Sequence, residues 1–228
     1  MDNPAPNPEL LRSLRKLASG LAALFWGLPA VLIISAETVR VDVLDPFGIV
    51  PALVANLVLL FGLRRLGAFQ PHERPWRLAL DRARLPALVN LGLCPFLFWF
   101  NHMPETVYFR YAMLVIITSV VLFLFNLNGV LKQLGAMLPD ETLRQDINVF
   151  TAFNRWLLVA FLGLIAGVVF VSIQFPDLAQ QLGPDNWAIL VRVDMAGALL
   201  CGLSPLAITM GLLWKTKEVI FDSVFGAK

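Results

Sequence analysis

The fold class predicted by this chain is an all-α, polytopic membrane protein with six transmembrane helices and about three amphipathic helices on the cytoplasmic surface. Three observations predict it: the composition, six long apolar runs, and a polar corner motif that follows two of those runs. Of 228 residues, 58% are hydrophobic and only 15% charged, with 17 phenylalanines, and the mean hydropathy is +0.73. Soluble domains are far more polar. A helix needs roughly 17 to 25 apolar residues to cross a hydrocarbon core of about 30 Å. The runs that serve are 17–34, 47–63, 85–100, 111–131, 156–173 and 195–214.

The first run is led in by residues 8–17, where Leu10, Leu14 and Leu17 share one side of a helix while Arg12, Arg15 and Lys16 lie elsewhere. The apolar stretch runs past the length of a signal-peptide core and lacks a small-residue cleavage site, so the span is expected to stay in the mature protein. The second run carries Asn56 and ends in Leu63-Arg-Arg-Leu-Gly-Ala-Phe-Gln-Pro-His-Glu73. That motif returns 68 positions later, after the fourth run, as Leu131-Lys-Gln-Leu-Gly-Ala-Met-Leu-Pro-Asp-Glu141. A shift of two spans puts both copies on one side of the bilayer. Each reads as a cytoplasmic corner in which Gly ends one helix and Pro-x-Glu starts the next.

The third run is short and is introduced by residues 75–85, whose Trp76, Ala79, Leu80 and Ala83 oppose Arg77, Asp81 and Arg84. The fourth holds Thr118, Ser119, Asn126 and Asn128; the two asparagines, two apart on a helix, must face different neighbours. The fifth follows residues 139–153, which set Leu143, Ile147 and Phe150 against Arg144, Gln145 and Asn148, with Asp140 and Arg144 spaced as an i,i+4 pair. Within it, Gly163 and Gly167 make a small-residue face that Ala198 and Gly202 of the sixth span match. Pro29, Pro51, Pro95 and Pro205 interrupt four of the spans. Together these units suggest a hairpin repeat with copies at 8–67, 71–135 and 139–228.

Lysine and arginine fix the expected orientation. Of 18, fifteen fall in the segments that would share a side with both termini, against Arg40, Arg110 and Arg192 opposite, so both termini are expected in the cytoplasm of a bacterial inner membrane. Trp76, Trp99, Trp156, Trp187 and Trp214 sit at predicted edges, as interfacial rings do, and only Trp26 lies mid-span.

Chemistry is limited by what the spans lack. No acid or base lies near a midplane, which argues against a carboxylate-driven transport cycle. His72 and His102 fall on opposite sides, Cys94 and Cys201 lie inside spans, and no phosphate loop, nucleophile elbow or zinc motif is present. The chain is therefore expected to have no catalytic residue, no metal and no cofactor. The candidate polar or lining residues are Asn90, Asn126 and Asn128 within the spans, with Arg110, Arg192 and Asp194 near the outer edge. Arg12, Arg15, Lys16, Arg77 and Arg84 are the expected lipid-headgroup contacts. The expected function is that of an accessory, anchoring or assembly subunit, with membrane lipids and other subunits or its own copies as partners and no nucleic acid. A passive channel or permease domain, including the membrane subunit of a nucleotide-driven exporter, is the alternative.

Overall fold

The computed structural model describes residues 8–40, 46–70, 72–103, 106–138, 140–175 and 202–221. The regular elements among them are helices: α1 (Pro8–Arg40), α2 (Val50–Gly67), α3 (Arg74–Leu93), α4 (Pro95–His102), α5 (Val107–Met137), α6 (Glu141–Gln174) and α7 (residues 202–221). Five stretches are long and apolar enough to cross a membrane: Arg12–Val39, Val50–Gly67, Arg74–His102, Val107–Met137 and Glu141–Val171. The sixth predicted span lies partly outside the described residues, which include its second half in α7.

The three amphipathic stretches are not separate surface helices. Each continues without a break into the span behind it, as the first turns of α1, α3 and α6. The physical reason is that no residue at the junctions ends a helix: Lys16-Leu17-Ala18 and Asn154-Arg155-Trp156 are ordinary helical sequence, and Pro86 is accommodated inside α3. At 1.5 Å per residue the 33 residues of α1 reach about 50 Å, well beyond a hydrocarbon core of about 30 Å.

Proline has two different roles. Pro29 is contained within α1, whereas Pro51 stands in the first turn of α2, where its missing N–H costs nothing, so it starts that helix and does not interrupt it. Pro95 opens α4 after a one-residue turn at Cys94, which divides the third span into α3 and α4. Pro86 offers its carbonyl to Ser119 Oγ of α5 at 3.1 Å.

Packing follows the chain. The most extensive contacts are α1 with α2 and α3 with α5, followed by α5 with α6 and α2 with α3. The main core lies towards the corner ends of the helices, where Leu17, Leu63, Trp76, Leu80, Leu131 and Leu143 are all fully buried or nearly so. A smaller cluster around Ala52, Cys94, Leu97 and Ile116 closes the other end. In α2 the buried positions 55, 56, 59, 62, 63 and 66 recur, shifted by 68, as 123, 124, 127, 130, 131 and 134 in α5. The corner motif therefore coincides with a shared rotation of two helices towards the core.

Inside that motif glycine acts differently from the C-terminal break expected of it. α2 runs through Gly67 and α5 continues past Gly135 to Met137, and it is Gln70 that takes the left-handed backbone, at φ 44°. A Cβ on Gly67 would strike the Arg84 side chain, and one on Gly135 would lie 2.7 Å from Ile147 Cδ1. Both glycines are close-approach positions against the next helix. Asp140, expected to pair with Arg144, instead caps α6: its carboxylate accepts from Thr142 N at 2.9 Å, Leu143 N at 3.2 Å and Thr142 Oγ1 at 2.7 Å. The Thr142 hydroxyl, aided by the Leu143 amide, holds that carboxyl below its ordinary pKa.

Candidate functional site

Two polar assemblies stand out, one inside the bundle and one at its basic end. The first joins α5, α6 and α7. Asn128, Asn154 and Thr209 are completely buried. Asn154 Nδ2 donates to Asn128 Oδ1 at 3.1 Å, to Thr209 Oγ1 at 2.9 Å and to the Pro205 carbonyl at 3.2 Å. Thr209 Oγ1 donates to the same carbonyl at 2.7 Å, and Asn128 Nδ2 reaches Leu124 O at 2.8 Å and Thr209 Oγ1 at 3.3 Å. In lipid an amide needs a partner, and three helices supply one another's. Within this assembly Asn154 Oδ1 is the atom left buried without a partner.

The second assembly is a cavity of about 690 Å³ between the basic ends of α3, α5 and α6. Its charged lining consists of Arg74, Arg82, Lys132, Arg144 and Arg155, accompanied by Asn126, Gln133 and Asn148, and among the described residues no carboxylate lines it. The ion pairs formed among the described residues are Arg84 with Asp81 and Lys215 with Asp146, so none of the five cations is neutralised in this way. Arg155 stacks its guanidinium over the Phe125 ring, 4.6 Å from the centroid, and its Nε is buried with no hydrogen-bond partner. Two apolar grooves share walls with this cavity. One, of about 520 Å³, meets it at Arg82 and Asn126 and runs between α3 and α5 past Leu85, Val89, Leu114, Val115 and Leu122. The other, of about 320 Å³, meets it at Lys132, Asn148 and Arg155 and continues past Phe125, Trp156 and Val159.

The residues singled out from sequence are scattered over these features. Asn128 belongs to the helix junction, while Asn126 turns the other way, donates to Leu122 O at 2.7 Å and faces the cavity. Asn90 is buried, with its Oδ1 unpartnered. Arg110 is exposed at the start of α5. Arg12, Arg15 and Lys16 are exposed on α1, outside the cavity. Arg77 and Arg84 lie on the opposite face of α3, in a smaller pocket with Asp81 and His72. Arg192, Asp194, Ala198, Trp187 and Cys201 lie outside the described residues. Beyond their own helix, Gly163 and Gly167 have no described atom within 4 Å of a Cβ placed on them, whereas a Cβ on Gly202 would lie 3.4 Å from the Phe161 ring. Trp76, expected at the membrane edge, is fully buried against Phe69, whereas Trp156 is 75% exposed.

Asn154 was not among the residues singled out, although its spacing from Ile147 and Thr151 on one helical face marks it as inward-facing. The cavity cations carried a signal too. Arg74, Leu78 and Arg82 form an i, i+4, i+8 row, and Arg144 with Asn148 forms another. What sequence spacing lacks is the pairing of these rows across three helices. Comparison with family models, with curated proteins and with solved structures gives no match.

Proposed function

We propose that this chain is a non-catalytic integral membrane component, an accessory, anchoring or assembly subunit, seated in a bacterial inner membrane with both termini cytoplasmic. One observation carries the reading: the deepest polar groups of α5, α6 and α7 bond to one another across helices and do not line a path. A channel needs polar atoms turned towards a water-filled lumen. Here Asn128, Asn154 and Thr209 are closed off at zero exposure.

The outer surface supports the same reading. Only 11% of the most apolar stretch of α6 is buried, and Phe153, Trp156, Val159 and Phe170 are exposed along it. Such a face suits lipid tails or partner helices. The orientation rests on the fifteen-to-three division of Lys and Arg, to which the clustering of Arg74, Lys132 and Arg144 around one end of the bundle adds.

Extraction into mild detergent followed by native mass measurement tests the proposal. A defined stoichiometric complex, together with no solute flux when the purified chain is placed alone in proteoliposomes, is the expected result. Flux by the chain alone overturns it.

A further inference from the structure

We propose that the cavity between α3, α5 and α6 is a binding site for an anionic phospholipid, with the phosphate held by its arginines and the acyl chains lying in the two apolar grooves. The inference rests on the membrane reading above but not on the accessory role.

Charge comes first. Arg74, Arg82, Lys132, Arg144 and Arg155 share one cavity, no acidic side chain lines it, and none of the five has an ion-pair partner among the described residues. Glu73, Asp140 and Glu141 stand at the helix starts nearby but do not line the cavity, and Asp140 is already engaged in capping α6. Like charges brought together without a counter-ion repel, and a low-dielectric wall strengthens that repulsion. An anion relieves it. The guanidinium fork matches a phosphate bidentately, and Arg155, with its Nε buried and unpartnered and its plane stacked on Phe125, is the most constrained of the four arginines.

Position selects a lipid over a soluble anion. From Arg74 to Arg82 the cavity extends about 12 Å along α3, ending where the apolar sequence from Leu85 begins; on α6 it ends at Arg155, beside Trp156. That is the depth of headgroups. A soluble phosphate would use the cavity alone, whereas two grooves share walls with it: beyond the shared residues, the one past Leu85, Val89 and Leu122 is apolar except for Thr118 and Ser119, and the one past Phe125, Trp156 and Val159 is apolar except for Thr151. A phosphodiester with two chains fills both kinds of surface. The cavity's volume is also within the range of small-ligand sites.

The test compares two charge-matched variants of the full chain, Arg82→Gln/Lys132→Gln/Arg155→Gln in the cavity and Arg12→Gln/Arg15→Gln/Lys16→Gln on the exposed first turns of α1. Each is placed in nanodiscs of phosphatidylcholine containing graded phosphatidylglycerol, and lipid retained after delipidation is counted by native mass spectrometry. A basic side chain near an anionic surface contributes about a fivefold factor, but delipidation strips lipid drawn only to the open turns of α1, so retained phosphatidylglycerol should fall at least about tenfold in the cavity variant and less than about threefold in the α1 variant. Equal losses overturn the proposal. The single variants Arg82→Gln and Lys132→Gln, checked for wild-type helicity and monodispersity, keep the test open if the triple variant misfolds; affinity unchanged in both also overturns it. Inorganic phosphate is the second probe: stabilisation by phosphate equal to that by phosphatidylglycerol would assign the site to free anions instead. Failure of the chain to insert at all would count against the membrane reading, whereas insertion without lipid preference would count against this site only.

Discussion

Asn154 shows what a single residue does inside a bundle of apolar helices. Apolar burial distinguishes little between a helix facing lipid and a helix facing another helix, so specificity falls to close packing and to hydrogen bonds. Asn154 donates to Asn128, Thr209 and the Pro205 carbonyl, and so ties α6 to both neighbours. Removing Thr209 Oγ1 by Thr209→Val keeps the shape but deletes the hydroxyl that both asparagines reach. We expect Asn154→Leu and Thr209→Val each to destabilise the folded protein, with a coupling energy of about 0.5–2 kcal/mol in a double-mutant cycle measured by thermal unfolding in detergent. Strictly additive effects would mean that the two side chains do not act on each other. Asn126, two residues from Asn128, bonds only within its own helix, so Asn126→Leu should leave stability within about 0.5 kcal/mol of wild type.

At the scale of elements, glycine decides how near two helices come. A Cβ on Gly20 would stand 2.9 Å from the Gly62 carbonyl and 3.1 Å from Leu66 N, both backbone atoms that cannot turn aside. A Cβ on Gly163 would meet no described atom within 4 Å beyond its own helix. Alanine is the better helix former by about 1 kcal/mol, so Gly163→Ala should stabilise by up to that amount. Gly20→Ala should destabilise by about 1–2 kcal/mol, because overpacking exceeds the propensity gain; the same unfolding assay measures both. A melting temperature for Gly20→Ala at or above wild type would show that α1 and α2 can separate freely. Small-xxx-small spacing such as that of Gly163 and Gly167 is visible in one helix and the facing atoms are not; the expected partner Ala198 lies outside the described residues. For the same reason the apolar periods locate the long helices, yet the sequence pattern suggests breaks at residues 17, 85 and 153 that the helices do not have. A change from amphipathic to apolar sequence marks a change of surroundings, and Lys16-Leu17-Ala18 shows that the backbone has no cause to stop there. Trp76 was legible as an aromatic near an edge but not as a core residue, because burial depends on Phe69 arriving from the preceding turn.

For the whole molecule, the decisive property is an asymmetric field. The chain's net charge is only +2, but its cations gather at one end, where five of them surround a single cavity. Sequence counts gave this polarity and its direction along the bundle axis. They did not give its concentration between α3, α5 and α6, which arises only when three helical rows from distant parts of the chain are packed side by side. Repulsion among those side chains must weaken the assembly whenever no anion is present, and salt screens such repulsion over about 10 Å at 0.1 M. In an uncharged detergent, therefore, the melting temperature should rise as ionic strength goes from about 10 to 150 mM. Arg82→Gln/Lys132→Gln removes two of the five charges, so that variant should begin at a higher melting temperature and respond less to salt. The matched change Arg12→Gln/Arg15→Gln on α1, outside the cavity, should leave the salt response as it is in the wild type. A melting temperature that falls with added salt, or an equal response in all three proteins, would mean that solvent already screens the five cations from one another and that the cavity stores no repulsion for an anion to relieve.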